Sequence, residues 1–201
     1  MDRINVKRSK KLSWLLRHGA AEAGVAMDAA GWASVSDVLR AVQMTREQLD
    51  EVVRENEKHR FDLDGDRIRA VQGHSIDNAS VDLDALEESW TEWKGHGSIF
   101  HGTYRGALRG IGENGLLPFA RTHVHLISDR ESVAGKRANV DVLLVVDPSR
   151  VRSEGVRLYE APNGVVLARS IPRRAIVDLE PITKKARHHE QELRAALGLR
   201  D

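Results

Sequence analysis

The chain has 201 residues, enough for one large domain or for two lobes of about 100 residues each. Charged residues make up 30% and hydrophobic residues 41%, a balance typical of a globular rather than a disordered protein. The net charge of +1 does not point to a polyanion ligand, so any nucleic-acid surface must be local. The lack of cysteine excludes disulfides, thiolate nucleophiles and Cys-ligated zinc. No apolar run approaches the ~18 residues of a membrane span, and we expect a cytoplasmic protein.

The first half of the chain begins with three helical patterns. A leucine-rich pattern predicts a helix that Ser9 caps and that ends at Gly19. Ser36 is expected to cap a second short helix. Thr45 and Gln48 form a capping-box pattern at the start of the next one. The sequence therefore predicts three short helices in succession.

A β-hairpin is predicted directly after these helices. The stretch RFDLDGDRIRAV contains two alternating runs joined at Asp64-Gly65, a dipeptide typical of tight hairpin turns. Arg67 and Arg69 alternate on the second run and share one face, where they project from the hairpin. Three short helices followed by a hairpin is the order of a winged helix, and many such modules bind nucleic acid.

The second half of the chain has a different composition. An acidic segment with Trp90 and Trp93 is followed by glycines, and we place the boundary between two lobes there, at residues 1–94 and 95–201. Beyond it, the predicted strands are SIFHGTY, THVHLIS, VDVLLVV, GVRLY and GVVLARS. Helical patterns cover Arg105 to Asn114, Glu131 to Ala138, and the tail from Thr183 to Leu199. This mixture predicts an α+β lobe.

Basic side chains are the candidates for chemistry, and each also has a purely structural explanation. Arg17 and His18 fall at the end of the first helix, where cations interact favourably with the helix dipole. His123 and His125 lie two residues apart on one strand face, and with His101 nearby they could ligate zinc. However, HExxH, GxSxG and Walker A are absent from the sequence, and we expect no metal.

Five motifs in a fixed order are more specific than any one of them. The chain contains SKKLSWLLRH, NEKHRFDLDGDRIRAVQGHS, HGTYRGALRGIGENGL, RTHVHL and APNGVVL, spread over roughly residues 9 to 180. In this combination it resembles the RNA 2′-phosphotransferase family, called KptA in bacteria. The resemblance implies an α+β protein with an N-terminal winged-helix lobe, which binds RNA, and a C-terminal lobe like those of ADP-ribosyltransferases, which binds NAD+.

The resemblance also implies a reaction. Such a transferase removes an internal 2′-phosphate from RNA: the phosphate attacks the nicotinamide ribose of NAD+, nicotinamide leaves, and RNA-2′-phospho-ADP-ribose forms. The ribose O2″ then attacks the phosphorus and releases 2′-OH RNA and ADP-ribose 1″,2″-cyclic phosphate. The implied partners are NAD+ as co-substrate and RNA bearing a 2′-phosphate, in tRNA splicing or RNA repair, without metal or membrane. We expect a monomer.

Individual residues take roles from the same resemblance. Three guanidinium groups and an imidazole would hold the transferring phosphate, since planar guanidiniums bind phosphate oxygens bidentately. These catalytic residues are Arg17, His18, Arg60 and Arg121. The expected NAD+ contacts are His101, Gly102, Thr103, His125, Ser128 and Asn163. The expected RNA contacts are Arg67, Arg69 and His74.

Two positions depart from the family pattern. Ile127 intervenes before Ser128, where the family has a serine directly after HVHL, and Pro162 replaces the acidic or serine residue expected before Asn163. The cofactor contacts of these two loops stay open. Two other functions stay open as well. One is an ADP-ribosyltransferase that leaves ADP-ribose on a terminal phosphate of RNA or DNA. The other is a winged-helix binder without activity, which would leave the His101 and Arg121 motifs unexplained.

Overall fold

A computed structural model describes residues 2–78, 80–130 and 140–199. The chain divides into two compact units, and both helices and strands contribute to the fold, as the predicted α+β class requires. Unit 1 comprises Met1–Thr91, Ala120–Thr122 and Ala161–Asn163, and unit 2 comprises Glu92–Phe119, His123–Glu160 and Gly164–Asp201. The lobe boundary between residues 94 and 95 stays a prediction.

Unit 1 combines a helical layer with a small sheet. Its described elements are α1 (Arg3–Trp14), a π-helical turn (Leu15–Gly19), β1 (Ala33–Ser34), α2 (Val35–Val42), α3 (Arg46–Arg54), β2 (Phe61–Asp64), β3 (Arg67–Ala70) and α4 (Leu83–Glu88). The strands pair antiparallel in the order β1-β3-β2. The fully buried side chains of Leu12, Leu16, Leu49 and Ile68 form the centre of the core, so α1 and α3 pack with the sheet around one hydrophobic cluster.

Two predicted features of unit 1 are confirmed. The Thr45 hydroxyl accepts from the backbone N–H of Gln48 at 3.3 Å, and the Gln48 side chain accepts from the backbone N–H of Thr45 at 3.2 Å, which completes the capping box of α3. In the hairpin, Asp64 pairs with Arg67, which leaves a two-residue turn. Gly65 in that turn has a φ of 58°, a conformation that glycine adopts without steric cost.

Two predicted helix caps are wrong. Asp2 caps α1, because its carboxylate accepts from the backbone N–H of Asn5 at 2.7 Å, and Ser9 lies buried inside the helix. The N-cap of α2 is Ser34, and Ser36 lies within the helix with its hydroxyl 2.9 Å from that of Ser34. Both helices thus begin earlier in the chain than predicted. α1 begins at Arg3 rather than after Ser9, and α2 begins at Val35 rather than after Ser36. The predicted end of the first helical stretch at Gly19 is confirmed.

Unit 2 is built on one large sheet with the strand order β10-β7-β5-β6-β9-β8-β4. Its described elements are β4 (Thr91–Glu92), β5 (Ile99–Thr103), a 3-10 turn (Arg105–Ala107), α5 (Leu108–Asn114), β6 (Val124–Ile127), β7 (Val142–Val146), α6 (Pro148–Ser153), β8 (Tyr159–Glu160), β9 (Val165–Ala168), a second 3-10 turn (Arg173–Ala175), β10 (Ile176–Pro181), α7 (Lys184–His188) and α8 (Glu190–Leu197). Neighbouring strands from β10 to β8 run antiparallel. The main core of unit 2 includes Ile99, Leu126, Leu144 and Val166.

Four of the predicted strands are confirmed as β5, β6, β7 and β9, and the helical pattern from Arg105 as a 3-10 turn followed by α5. The predicted strand GVRLY overlaps β8 only at Tyr159. The tail forms two helices that meet at His189 instead of one. The predicted helix from Glu131 to Ala138 lies outside the described residues. None of the described helices has the length and apolar character that crossing a membrane requires.

Candidate functional site

Three of the predicted phosphate-binding side chains, His18, Arg60 and Arg121, interact electrostatically with the fourth, Arg17, in unit 1. Burial, with the charges of Arg121 and Arg60, lowers the pKa of Arg17 from its ordinary value to about 10. Partial desolvation by neighbouring groups, followed by the charges of Arg17 and Arg121, lowers the pKa of His18. Burial also lowers the pKa of Arg60. The structure therefore brings Arg17, His18, Arg60 and Arg121 into one cationic cluster.

The π-helical turn at the end of α1 positions two members of this cluster. In such a turn the backbone hydrogen bond spans five residues instead of four, and π-helical turns occur frequently at functional sites. Arg17 lies partly buried in the turn, and the next residue, His18, is exposed. The carbonyl oxygen of Arg17 accepts from the side-chain amide of Asn78 at 3.3 Å, so its acceptor is satisfied from outside the helix.

Residues 71–76, which we call the linking segment, connect Arg60 to Arg17. The backbone N–H of Val71 donates to the carbonyl oxygen of Arg60 at 2.9 Å. The backbone N–H of Ser75 donates to the carbonyl oxygen of Arg17 at 3.1 Å. Backbone hydrogen bonds thus fix the two arginines, 43 positions apart in the numbering, to neighbouring points of one short segment.

The linking segment also holds residues 120–122, the short stretch that carries Arg121. The backbone N–H of Ile76 donates to the carbonyl oxygen of Ala120 at 3.1 Å, and the backbone N–H of Thr122 donates to that of His74 at 3.0 Å. Residues 75 and 121 form an isolated antiparallel bridge between these two bonds. Arg121 therefore belongs to the same compact unit as Arg17, although the stretches on either side of residues 120–122 belong to unit 2.

The guanidinium of Arg17 is an unsatisfied donor group. Its Nε and Nη2 atoms are buried and have no hydrogen-bond partner among the residues that the structure describes. The linking segment passes against it at Gly73, where a Cβ would lie 3.2 Å from Cζ of Arg17 and where φ is 90°. Neither Arg17 nor Arg60 forms an ion pair within the described ranges. Buried cationic donors without an acceptor are costly, so the cluster is suited to bind an anion.

A cavity of about 420 Å³ opens beside the cluster. Arg17, His18 and Arg60 line it, together with side chains from one face of α1. Cavities of this size, about 300 to 1000 Å³, are typical of small-ligand sites. Two arginines of the cluster therefore line a space large enough for a small ligand.

In unit 2, the imidazole of His101 connects two strands. Its Nδ1 lies 2.8 Å from the backbone carbonyl oxygen of His125. Because a carbonyl oxygen only accepts, Nδ1 carries the hydrogen, and Nε2 of the neutral ring is an acceptor. The backbones of β5 and β6 pair at Phe100 and Ile127. The imidazole of His101, the next residue on β5, adds a side-chain hydrogen bond between the same two strands.

The other predicted cofactor contacts fall at several places. Gly102 and Thr103 follow His101 on β5, the first partly buried and the second buried. Ser128 is exposed directly after β6. Asn163 belongs to unit 1, where its side-chain amide donates to the carbonyl oxygen of Lys58 at 3.1 Å. Whether any of these residues contacts a cofactor stays a prediction.

The zinc alternative gains no support from geometry. His123 is buried and precedes β6, whereas His125 lies within that strand and is partly buried. Across residues 2–78, 80–130 and 140–199, no three His, Asp or Glu side chains are placed to share a metal ion.

Two of the three predicted RNA contacts, Arg69 and His74, are buried in the structure. Arg67 and Arg69 share one face as predicted, with their guanidiniums 4.9 and 4.7 Å from the ring centroid of Trp32. However, Arg69 does not project into solvent, because its side chain is 7% exposed and pairs with Asp62 at 3.2 Å. His74 is fully buried. Arg67, 55% exposed, has the accessibility that contact with RNA requires, and its role stays a prediction.

Comparison with known proteins agrees with the motifs. A family model described as "RNA 2′-phosphotransferase, Tpt1 / KptA family" matches residues 3–170. The chain belongs to this family.

Relatives of the family cover most of the chain. It is 38% identical over 180 residues to a probable RNA 2′-phosphotransferase of Pseudomonas savastanoi pv. phaseolicola, covering 85% of this chain and 92% of that protein. A probable RNA 2′-phosphotransferase of Agrobacterium fabrum is 39% identical over 178 residues (84% and 91%). One of Streptomyces griseus subsp. griseus is 37% identical over 192 residues (88% and 97%). The resemblance inferred from the five motifs is confirmed.

Sequence reasoning missed residues that position the cluster in this member of the Tpt1/KptA family. The side-chain amide of Asn56 donates to the buried Ser9 hydroxyl at 2.9 Å, and its oxygen accepts from the backbone N–H of Arg60 at 3.2 Å. Asn56 thus ties α1 to the start of β2. Gly73 was also missed as a contact of Arg17. Although both Ser9 and Gly73 stand inside the quoted motifs, no local pattern reveals such long-range contacts.

We expect the imidazole of His18 to titrate below its ordinary pKa of 6.5, and Arg121→Ala to raise that pKa. Removing a positive charge favours the protonated ring, so the direction of the change is fixed. Titration of the histidine Cε1–H resonances by NMR measures it, with His18→Gln assigning the resonance. Arg109→Ala, which removes an exposed arginine of unit 2, is the control. An unchanged or lower pKa of His18 in Arg121→Ala contradicts the arrangement.

Proposed function

We propose that the protein is an NAD+-dependent RNA 2′-phosphotransferase that removes an internal 2′-phosphate from RNA. The observation that carries this proposal is the cationic cluster, whose buried guanidinium donors call for an anion of high charge. Family membership supports the reaction class. We further propose that the helices and hairpin of unit 1 act as a winged-helix module on RNA, and that unit 2 is an ADP-ribosyltransferase-like module for NAD+.

The cluster would act by holding the 2′-phosphate. A phosphate dianion is nucleophilic without a general base, but it must be held in line with the carbon that it attacks. Arginine provides planar, bidentate donors that stay charged near neutral pH. Even with its pKa lowered to about 10, Arg17 remains protonated there. The three arginines would therefore position the dianion and then stabilise the charge that develops when the phosphorus is attacked.

The residues of β5 fit a dinucleotide as second substrate. Nε2 of His101 is a hydrogen-bond acceptor, because Nδ1 is engaged by the carbonyl of His125, and it suits a ribose hydroxyl. Gly102 presents no side chain, which lets a ligand approach the backbone. NAD+ supplies an electrophilic ribose carbon and nicotinamide as the leaving group. Thr103, His125, Ser128 and Asn163 complete the proposed contacts.

His18 would transfer protons in the second step. In the free protein its pKa is lowered, so the ring is neutral at pH 7 and can accept a proton from the ribose O2″. A bound phosphate dianion offsets the charges of the neighbouring arginines and raises that pKa. The ring can then return the proton to the departing O2′ of the RNA.

Incubation with NAD+ and an oligoribonucleotide that carries one internal 2′-phosphate tests the proposed function. We expect 2′-OH RNA and ADP-ribose 1″,2″-cyclic phosphate, and neither product when NAD+ is omitted. Accumulation of an ADP-ribosylated RNA without the second step would instead identify an ADP-ribosyltransferase. Release of inorganic phosphate without NAD+, or no reaction, would overturn the proposal.

Arg121→Ala is expected to lower kcat/KM by about 100-fold or more, because losing one donor to transition-state charge costs on the order of 3 kcal/mol. The melting temperature should change little, since the backbone bonds of residues 120 and 122 do not involve this side chain. Steady-state kinetics with the 2′-phosphorylated RNA measures the loss. Arg109→Ala is the matched control. Activity within a few-fold of the parent would remove Arg121 from the site.

His18→Ala is expected to slow the second step more than the first, so that RNA-2′-phospho-ADP-ribose accumulates. The first step expels neutral nicotinamide and needs no proton transfer, whereas the second needs a proton moved between two oxygens. A time course on denaturing gels with radiolabelled RNA shows the adduct as a slower band. His188→Ala, at an exposed position of α7, is the control. Equal slowing of both steps would mean that His18 only orients the phosphate.

A further inference from the structure

The face of α1 that leads to the cationic cluster carries an exposed indole. Lys10 and Trp14 lie one helical turn apart and line the same cavity as Arg17 and Arg60. The side chain of Trp14 is 48% exposed. A single exposed hydrophobic residue needs no explanation by itself. Here the exposed tryptophan needs one, because it lines a cavity that also presents three cationic side chains and that contains part of the proposed phosphate site.

The indole is held in place by the π-helical turn. A Cβ at Gly19 would lie 2.3 Å from Cη2 and 2.4 Å from Cζ3 of Trp14, so the ring lies directly against the backbone of Gly19. Glycine at this position leaves the space that the ring occupies. The six-membered ring of the indole therefore contacts the protein at Gly19, while Trp14 keeps about half of its surface accessible. Such a ring loses little conformational freedom when a flat ligand stacks on it.

The charges of the cavity select the kind of flat ligand. Its eight lining side chains include Lys10, Arg17, Arg60 and the imidazole of His18, and none of the eight is acidic. Lys10 forms no ion pair with any residue of the described ranges, so its ammonium is available to an anion. Aromatic rings beside cationic groups are how proteins bind single-stranded nucleic acid: the base stacks on the ring and the phosphates meet the cations.

We propose that Trp14 is a stacking platform for the unpaired nucleobase of a nucleotide next to the 2′-phosphate, with Lys10 contacting the backbone phosphate beside that base. This inference rests on the proposed function, because it takes the 2′-phosphate at the cationic cluster as its fixed point. It narrows the substrate class to RNA that is single-stranded around the modified nucleotide. A base inside a duplex is stacked on both faces and cannot offer one to the indole.

Binding without NAD+ separates this inference from catalysis. A fluorescein-labelled oligoribonucleotide with one internal 2′-phosphate is titrated with the full-length protein, and fluorescence anisotropy gives the Kd. The same oligonucleotide is then made with an abasic nucleotide on the 5′ side or on the 3′ side of the 2′-phosphate. We expect one of the two abasic forms to bind about 5- to 100-fold more weakly. Annealing the parent oligonucleotide to its complement should weaken binding similarly.

Variants of Trp14 test whether its indole makes the contact that is lost when the base is absent. Trp14→Ala should weaken binding of the parent oligonucleotide by a similar factor, whereas Trp14→Phe, which keeps an aromatic ring, should restore most of it. In Trp14→Ala the abasic form should bind no more weakly than the parent oligonucleotide, because both changes remove the same contact. Ile4→Ala, at another exposed apolar position of α1, is the control for changes in the helix. Lys10→Ala should flatten the salt dependence of binding, and Lys7→Ala, outside the cavity, should not.

The outcomes distinguish the two proposals. If the 2′-phosphorylated oligonucleotide is processed with NAD+ but neither abasic form binds more weakly than the parent, the stacking platform is wrong and the proposed function stands. Equal affinity for single strand and duplex overturns the platform as well. The abasic comparison uses the unmodified protein, so it decides the matter even where a Trp14 variant fails to fold. If a 2′-phosphate adds nothing to RNA binding, the proposed function fails first and the platform with it.

Discussion

The backbone hydrogen bonds of the linking segment are the constraint on which the cationic cluster depends. Residues 71–76 bond to three stretches of chain that are far apart in sequence and that carry Arg60, Arg17 and Arg121. Like charges gathered in a partly buried place repel one another, so side-chain electrostatics alone would separate them. Bonds between main-chain groups are independent of charge. The fold therefore assembles the cluster through its backbone, and among the described residues the Nε and Nη2 atoms of Arg17 have no hydrogen-bond partner.

The changes in pKa indicate which side chains of the cluster are protonated at neutral pH. The pKa of Arg17 falls to about 10, which is a large change but leaves the guanidinium protonated at neutral pH. The pKa of His18 falls from 6.5, which lies close to neutrality, so a shift in that direction leaves the imidazole neutral. The same surroundings thus produce fixed positive charges and one group that can exchange a proton. A bound anion would reduce the repulsion between the cationic groups. Of the four side chains, His18 would change its protonation most, because its ordinary pKa lies nearest to neutral pH.

Local signals in the sequence predicted local structure correctly. The capping box of Thr45 and Gln48 and the hairpin turn at Gly65 are decided by residues that are neighbours in the chain. β10 was missed, because a register shift between residues 176 and 178 places its buried Ile176 and Leu179 three apart and breaks the period of two. The burial of Arg69 was also missed. It depends on Trp32, a residue that only the folded sheet brings beneath the hairpin.

The cluster also shows why a lobe boundary read from composition does not define the functional unit. Every residue of the proposed phosphate site belongs to unit 1, yet Arg121 reaches it from a stretch whose neighbours on both sides belong to unit 2. Asn163 likewise belongs to unit 1 while the stretches on either side of residues 161–163 belong to unit 2, and its side-chain amide donates to the carbonyl oxygen of Lys58. A chain cut after residue 94 would keep the helices and the hairpin but lose Arg121. Since this arginine contributes to lowering the pKa of both Arg17 and His18, the electrostatics of unit 1 depend on residues 120–122, which lie beyond the predicted boundary in sequence.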